Sequence, residues 1–307
     1  MKKFLLKISV FLAFSVAVFG GAYAVYFARL RTMSFAISPE NKIVFIGDSH
    51  IEIGVNETLI PGAFNFAKSG DPYFDQYFRL KRLLDDNPQI SLVFVSATPH
   101  SLARYGDARI FGDWTMQNVI PSALPLYSAR EWKMYFSREP VRMTKFIFGK
   151  PGVLAKNALN ALASRREKMM GALGKRIVST GENLERSVRV ERGIIPGKKL
   201  HGNDSVGNAH QVEYLRKSVE LVRERGAKIV FLNPPIYRAR EFFDVAYFEN
   251  VLKENFSDVE FWDYGDFPLP DNCRQDINHI NFRGAEIFSR ELAERIKREF
   301  VGVSAKS

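Results

Sequence analysis

The chain of 307 residues contains a single cysteine, Cys273, which excludes an intramolecular disulfide. This absence leaves export open, because a chain of this length can bury a core large enough to fold without disulfides. Histidine is also scarce, at five residues. His201 and His210 have no third partner at the spacing of metal ligands. We therefore expect no metal and no other cofactor.

Acidic residues are fewer than basic ones, with 34 Asp and Glu against 44 Lys and Arg and a formal net charge of +10. The chain lacks a recognisable DNA- or RNA-binding motif, so we expect no nucleic-acid partner. The positive charge fits an anionic partner, such as an acidic polysaccharide or lipid headgroups. Solubility, or orientation in a membrane, is the alternative explanation. Internal repeats and low-complexity tracts are absent.

Charge is absent from the largely apolar residues 8–27, a length that can cross a bilayer as a helix. Residues 22–24 (AYA) have the form of a signal-peptide cleavage site, but apolar character continues past them and favours an uncleaved anchor. Basic residues flank the run on both sides: Lys2, Lys3 and Lys7, then Arg29 and Arg31. The excess before the run predicts a cytoplasmic N-terminus and a single-pass protein of the cell (inner) membrane, with its catalytic part periplasmic.

Strand-like and helix-like segments alternate after a signal anchor at 1–31 and a linker at 32–41. The predicted strands are 42–46, 63–67, 91–97, 228–232 and 259–262. Apolar residues recur at helical spacing in 74–86, 210–225, 242–255 and 282–300. Near-continuous apolar strands are typical of a sheet buried on both faces. The order predicts one α/β domain over 42–307, with a parallel central sheet between layers of helices.

Residues of about 101–208 break this alternation and form a predicted insertion, mostly helical up to residue 177. Its second half is rich in basic residues and poor in acidic ones: Arg165, Arg166, Lys168, Lys175, Arg176, Arg186, Arg189 and Arg192. A long segment of this kind is typical of a lid or binding arm. The basic run fits docking to an anionic polymer or to the membrane surface, and a solvated helix face explains it equally well.

Two short motifs far apart in the chain carry the candidate chemistry. The strand-like run KIVFI ends in Gly-Asp-Ser, which brings Ser49 to the rim of the sheet. Asp276 and His279 lie three residues apart just before an amphipathic helix. A serine, a histidine and a carboxylate supply a nucleophile, a general base and a group that orients the base. The sequence therefore predicts a catalytic Ser49–His279–Asp276 triad.

Several polar or small residues follow predicted strand ends, where sites lie in parallel sheets. These are Ser49, Gly70, Thr98, His100 and Asn233, and His279 lies in the last loop. We expect them to converge on one site. Cys273 is close in sequence to the motif of His279, but it lacks a strand or helix start that would lower its thiol pKa.

These motifs resemble the SGNH (GDSL-type) hydrolases. Residues 45–49 (FIGDS) look like the first block of that family, and residues 276–279 (DINH) look like the last, where Asp and His complete the triad. Gly70 sits where the second block places an oxyanion-hole glycine, so the resemblance implies that the amides of Ser49 and Gly70 bind the oxyanion. It also implies a flavodoxin-like three-layer α/β/α fold. It covers roughly residues 42–100 and 209–300.

Residues 47–54 and 64–70 are similar to membrane-anchored bacterial members that are linked to acylation of cell-surface polysaccharides. This likeness implies a membrane-bound acyltransferase partner that supplies acyl groups. The chain departs from the family at its third block, since residues 96–100 (SATPH) lack the Asn that donates to the oxyanion. Thr98, His100 or Asn233 is expected to replace this donor.

We favour an extracytoplasmic, serine-dependent O-acyl(acetyl)transferase that acts on an anionic or neutral cell-surface or exported polysaccharide. The same triad would serve a carbohydrate esterase that passes the acyl group to water. A non-catalytic, membrane-tethered glycan-binding or assembly protein is the third alternative, and the missing Asn is the feature that favours it.

Overall fold

A computed structural model describes residues 2–112, 115, 123–148, 156, 158–160, 162–163, 165–194 and 207–301. The chain divides into two compact units. One comprises Met1–Phe35 with Met116–Leu173, and the other comprises Ala36–Thr115 with Gly174–Ser307.

The second unit contains a five-stranded sheet in the order β2-β1-β3-β4-β5, and every neighbouring pair is parallel. The strands are β1 (Ile43–Ile46), β2 (Ala63–Asn65), β3 (Leu92–Ser96), β4 (Lys228–Asn233) and β5 (Glu260–Asp263). This is the flavodoxin-like strand order. The predicted α/β fold with a parallel central sheet is therefore confirmed.

Helices cover both faces of this sheet. The described helices of this unit are α2 (Ser49–Gly54), α3 (Tyr73–Asp86), α4 (Gly106–Ile110), α8 (Leu184–Glu191), α9 (Ala209–Glu224), α10 (Ala239–Phe242), α11 (Val245–Asn255) and α12 (Phe282–Ile296). On one face, Phe94 and Leu232 pack with Phe288 of α12. On the other, the ring of Phe231 lies 5.3 Å from that of Phe256. Because the side chains of successive strand residues point to opposite faces, Phe231 and Leu232 pack against different helical layers.

Two predicted segments differ from the structure. The helix expected over 242–255 begins later, at Val245, because Asp244 is its N-cap and accepts a hydrogen bond from the Tyr247 N–H; residue 242 instead ends the short helix α10. The helix expected to reach residue 177 ends at Leu173, residues 174–183 have no helical structure, and a further helix of the insertion, α8, follows at Leu184–Glu191. The amphipathic C-terminal segment is helical as α12 and continues as a π-helical turn over Lys297–Val301.

The first unit is built from helices. They are α1 (Lys2–Thr32), α5 (Ala129–Arg138), α6 (Pro140–Phe148) and α7 (Arg166–Leu173). Tyr26 and Leu30 of α1 are buried, whereas most of its N-terminal half is exposed. Within the described residues, α1 is the one helix that is long and apolar enough to cross a membrane, a test that a signal sequence also passes. The predicted N-terminal apolar helix is therefore present.

Candidate active site

Ser49 lies at the start of α2, directly beyond the carboxyl end of β1. Asp48 is the N-cap of this helix, and its side chain accepts a hydrogen bond from the His50 N–H. Gly47 is required between strand and helix, because a Cβ there would overlap the Cβ of Ser96 on β3 and the side chain of Ile51. The Gly-Asp-Ser sequence thus fits the close approach of β1 to β3 and leaves the serine partly exposed.

Asp276 and His279 lie on a tight loop after β5. The loop is closed by an antiparallel bridge between Arg274 and Ile280 and by the Gln275 N–H, which donates to the His279 carbonyl at 2.9 Å. This closure places the imidazole beside α2. His279 Nε2 lies 2.8 Å from Ser49 Oγ, and His279 Nδ1 lies 2.9 Å from Asp276 Oδ1. The structure therefore brings the three predicted catalytic side chains together in the order required of a triad.

The environment of Asp276 keeps its carboxyl ionised. Burial alone would raise the pKa of this group. The hydrogen bond and charge of His279 and the backbone N–H groups of Asn278 and His279 outweigh burial and hold the pKa of Asp276 below its usual range. An ionised Asp276 fixes the His279 proton on Nδ1, so the lone pair of Nε2 faces the Ser49 hydroxyl.

The turn after β2 carries Gly70, the second predicted oxyanion donor. Gly70 has φ +70°, a left-handed conformation that favours glycine. Glu52, one helical turn after Ser49, accepts hydrogen bonds from both the N–H and the hydroxyl of Ser69. Glu52 therefore ties the Gly70 turn to the helix that bears the nucleophile. The N–H groups of Ser49 and Gly70 donate to no described residue, which leaves both available to a ligand.

A buried ion pair also stabilises the turn that carries Gly70. Asp71 pairs with Arg79 of α3, and both side chains are fully buried. Arg79 also donates to the Phe66 carbonyl at 2.7 Å. These contacts fix both ends of the turn, so the Gly70 amide is held in a defined position relative to the sheet.

Two of the residues expected to replace the missing oxyanion donor are otherwise engaged. The Thr98 hydroxyl lies 2.9 Å from Ser101 Oγ and accepts from the Ser101 N–H, so it braces the turn after β3. The Asn233 amide donates to Asp263 at 2.8 Å, which links the ends of β4 and β5. Neither side chain makes a hydrogen bond to Ser49 or His279, so the structure assigns both of them to the scaffold.

His100 is the remaining member of that set, and it lies in a cluster of histidines. The ring centroid of His50 is 5.9 Å from that of His100 and 5.2 Å from that of His279. His100 Nδ1 lies 3.3 Å from the Tyr105 hydroxyl. Burial raises the pKa of Tyr105, so the phenol keeps its proton and is able to donate it to Nδ1.

The charge state of His100 follows from its neighbours. Burial, together with the positive charge of Arg109, lowers the pKa of His100 well below its usual range. His100 is thus a neutral imidazole at neutral pH, with one N–H to donate. This state suits a hydrogen-bond donor that should not add a full charge beside His279.

Sequence reasoning missed His50 and Arg109. Asp48 Oδ1 lies 2.9 Å from His50 Nδ1, and Arg109 Nη2 lies 3.8 Å from Asp48 Oδ2. Burial would raise the pKa of Asp48, but His50 and then Arg109 hold it well below its usual range. His50 Nε2 is buried and has no hydrogen-bond partner among the described residues. The position of His50 directly after Ser49 could have indicated its contact with Asp48. Arg109 lies in the insertion, and no feature of the sequence indicates its contact with Asp48.

The non-helical segment 174–183, named the strap here, braces three parts of the site. Lys175 N–H donates to the Ala67 carbonyl at 3.0 Å, and Ile177 N–H donates to the Glu52 carbonyl at 2.9 Å. Ser179 hydrogen-bonds Gln275, whose amide donates to Asp276 Oδ2 at 3.2 Å. The strap is therefore part of the scaffold of the triad, although it belongs to the predicted insertion.

The described part of the chain holds no group of three or more His, Cys, Asp or Glu side chains arranged for a metal ion. Cys273 is buried in a 3₁₀ turn over Asp271–Cys273.

Comparisons with known proteins give limited similarity. A family model that has no functional description matches residues 193–301, less than half of the chain. No curated protein matches the sequence. Among solved structures, a GDSL-like lipase from Bacteroides thetaiotaomicron has 11% identity and a TM-score of 0.38, with 90% of this chain and 97% of that chain covered.

A catalytic mutant of an acetylxylan esterase from Geobacillus stearothermophilus has 13% identity and a TM-score of 0.36, with 86% of this chain and 95% of that chain covered. Because both identities and both TM-scores are low, no residue role is transferred from these proteins.

Proposed function

We propose that the protein is a serine-dependent O-acyltransferase of the SGNH type, which moves an acyl group, in particular acetyl, onto a sugar hydroxyl. The observation that carries this proposal is the continuous hydrogen-bonded path from Ser49 Oγ through His279 to Asp276. Two backbone amides, those of Ser49 and Gly70, donate to none of the described residues. A nucleophile, a base and preorganised donors together are the requirements of acyl transfer.

In the first half-reaction, Ser49 Oγ attacks the acyl carbonyl while His279 Nε2 takes the hydroxyl proton. The carbonyl oxygen becomes an oxyanion that accepts hydrogen bonds from the Ser49 and Gly70 amides. Collapse of this intermediate breaks the bond to the leaving group, which takes the proton from His279. The product is an acyl ester on Ser49, and Asp276 stabilises the imidazolium while it exists.

His100 supplies the third donor in this scheme. Its neutral ring carries a hydrogen on Nε2, and it lies in the same cluster as His279. The side chains of Thr98 and Asn233 hydrogen-bond Ser101 and Asp263, so we do not assign the third oxyanion donor to either of them. This assignment removes the main support for a non-catalytic protein, since the missing family Asn has a chemical replacement.

In the second half-reaction, His279 removes a proton from the attacking hydroxyl, whose oxygen bonds to the acyl carbon; as the ester bond to Ser49 Oγ breaks, His279 returns the proton to that oxygen. If the attacking group belongs to a polysaccharide, the enzyme is a transferase; if it is water, the enzyme is an esterase. The N-terminal apolar helix supports the transferase, because it would hold the site near exported glycans. A membrane-bound partner that carries acyl groups outward is part of this proposal, as is a periplasmic catalytic unit of an inner-membrane protein.

The test measures where the acyl group goes. The full chain in detergent micelles receives an activated acetyl ester, and free acetate and acetylated oligosaccharide are followed together. We expect acetyl transfer to the oligosaccharide faster than release of acetate, and no product of either kind from Ser49→Ala. Release of acetate alone would make the protein an esterase. Products at the same rate from Ser49→Ala would contradict the site itself.

A further inference from the structure

A groove between α9 and α11 takes no part in the reaction above. Residues of both helices line it, among them Asn208, Arg216, Tyr247, Asn250 and Glu254. Its volume is about 490 Å³. Sites for small ligands typically have volumes of about 300–1,000 Å³, so the groove is large enough to hold part of a ligand.

The groove begins at the edge of the sheet where the triad lies. α9 leads into β4 and α11 leads into β5, so both helices start at the carboxyl edge of the parallel strands, beyond which Ser49 lies. Asn208 and Tyr247 line the groove at this end. Arg216 and Asn255 line it eight residues further along each helix, a length of about 12 Å at 1.5 Å per residue.

Two contacts join this end of the groove to the turn that carries His100. The Asn208 side-chain amide donates to the carbonyl of Leu102, two residues after His100, at 3.1 Å. The guanidinium of Arg104 lies over the ring of Tyr247, 4.1 Å from its centroid. A chain that leaves the acyl site past His100 would therefore meet Asn208 and Tyr247 first.

The α11 wall of the groove carries three polar side chains without a partner in the protein. Tyr247, Asn250 and Glu254 recur at a spacing of three and four residues, so they share one face of the helix. Among the described residues, none of these side chains makes a hydrogen bond or an ion pair. Together they offer an aromatic ring, a hydroxyl, an amide and a carboxylate, which suit the C–H faces and hydroxyl groups of sugars.

The charges in and beside the groove balance. Glu213 pairs with Lys217 at 2.6 Å, and Arg216 donates to Asn255 at 3.0 Å. Arg216 and Glu254 then supply one charge of each sign along the groove. Because the groove has no excess of either charge, it fits an uncharged ligand better than a polyanion.

We propose that the groove between α9 and α11 binds sugar residues of an uncharged acceptor polysaccharide, beyond the sugar that receives the acyl group. This proposal rests on the acyl transfer proposed above, because it names the acceptor class and the path of its chain. It gives the enzyme a preference for long acceptors over short ones.

The experiment measures binding without catalysis. The Ser49→Ala full chain in detergent micelles is titrated calorimetrically with xylohexaose, N-acetylchitohexaose, their disaccharides and hexagalacturonate. We expect at least one neutral hexasaccharide to bind at least about tenfold more tightly than its disaccharide, as one or two added contacts provide. The same hexasaccharide should bind at least as tightly as hexagalacturonate.

Substitutions in the groove should remove this gain with chain length. Tyr247→Ala, which keeps the backbone N–H that donates to Asp244, should weaken hexasaccharide binding about tenfold. Tyr247→Phe keeps the ring and should retain most of the gain. Glu254→Ala should also weaken binding about tenfold. Glu249→Ala is the matched control, since Glu249 pairs with Arg240 outside the groove, and it should leave binding unchanged.

Melting curves establish that each variant is folded. The proposal would be overturned if neither neutral hexasaccharide bound, if hexasaccharides and disaccharides bound equally, or if hexagalacturonate bound more tightly than both neutral probes. An unchanged affinity in Tyr247→Ala, or equal losses in Glu249→Ala and Glu254→Ala, would overturn it as well.

The binding experiment separates this proposal from the proposed reaction. Gain with chain length in Ser49→Ala, together with a wild type that never acylates Ser49, would refute the reaction and leave the groove as a glycan site. Acylation of Ser49 without any gain with chain length would refute the groove alone.

Discussion

At the scale of single residues, the site depends on side chains whose hydrogen atoms have defined positions. The 2.8 Å contact between His279 and Ser49 requires that Nδ1 carries the imidazole proton, and Asp276 ensures this. In the proposed reaction, Tyr105 has the corresponding role for His100, where donation to Nδ1 leaves the hydrogen on Nε2. The proposal thus gives the two histidines different tasks, His279 as the base and His100 as a hydrogen-bond donor.

Replacement of His100 by alanine should lower kcat for acyl transfer about 100-fold, in the range typical of a lost oxyanion donor. Because the donor acts in the transition state, KM should change little. Tyr105→Phe, which leaves the ring but frees its tautomer, should lower kcat less. Steady-state kinetics with an activated ester check both variants. Unchanged kcat in His100→Ala would remove His100 from the reaction.

The low pKa of Asp276 predicts how stability depends on pH. Its ordinary pKa is 3.8 and the folded value is lower, so the unfolded chain binds the proton first as pH falls. The stabilisation from this carboxylate is complete above about pH 4 and is lost below it. Urea unfolding of wild type and Asp276→Asn from pH 3 to 7 should show their free-energy difference shrinking below pH 4. A constant difference would contradict the assignment.

The sequence was sufficient to propose Ser49, Asp276 and His279 as a triad. Ser49 lies in a short motif directly after a predicted strand, and Asp276 and His279 lie in a short motif directly before a predicted helix. The sequence was not sufficient to rank Thr98, His100 and Asn233. Their roles depend on Ser101, Tyr105 and Asp263, partners that only the folded structure identifies.

At the scale of elements, the junction between β1 and α2 controls the nucleophile. Gly47 lies where a Cβ would overlap Ser96, so Gly47→Ala should reduce the free energy of unfolding by about 1–3 kcal/mol, as overpacking does. Activity should fall as well, because the strain moves Ser49. Gly54→Ala is the matched control, since its added Cβ would lie 3.6 Å from Ile280, an ordinary contact. Equal unfolding midpoints in denaturant for the two variants would contradict this account.

The three central strands, β1, β3 and β4, were predictable because each is a short, nearly continuous apolar run that is buried along most of its length. The strap was not, since its hydrogen bonds go to Ala67, Glu52 and Gln275, which are distant in sequence. The late start of α11 depends on Asp244, which caps the helix by accepting a hydrogen bond from the Tyr247 N–H.

At the scale of the whole molecule, we expect α1 to anchor the protein in a membrane. Phe11 and Val18 are exposed on this helix, so Phe11→Arg with Val18→Arg should block insertion without disturbing the buried residues Tyr26 and Leu30. Each arginine near the helix centre costs about 2.5–3.5 kcal/mol of insertion free energy. After carbonate extraction, the wild type and a double-leucine control should remain with membranes. Retention of the double-arginine variant would contradict anchoring by α1.

The central claim is that Ser49 is a nucleophile activated by His279, and its most direct test is covalent labelling. The full chain in detergent micelles is treated with a fluorophosphonate, and the adduct is located by mass spectrometry. We predict a single adduct on Ser49 in the wild type, none in Ser49→Ala, and labelling at least about a thousandfold slower in His279→Ala. A folded wild-type protein that is not labelled at Ser49, or a His279→Ala variant labelled at the same rate, would contradict the account.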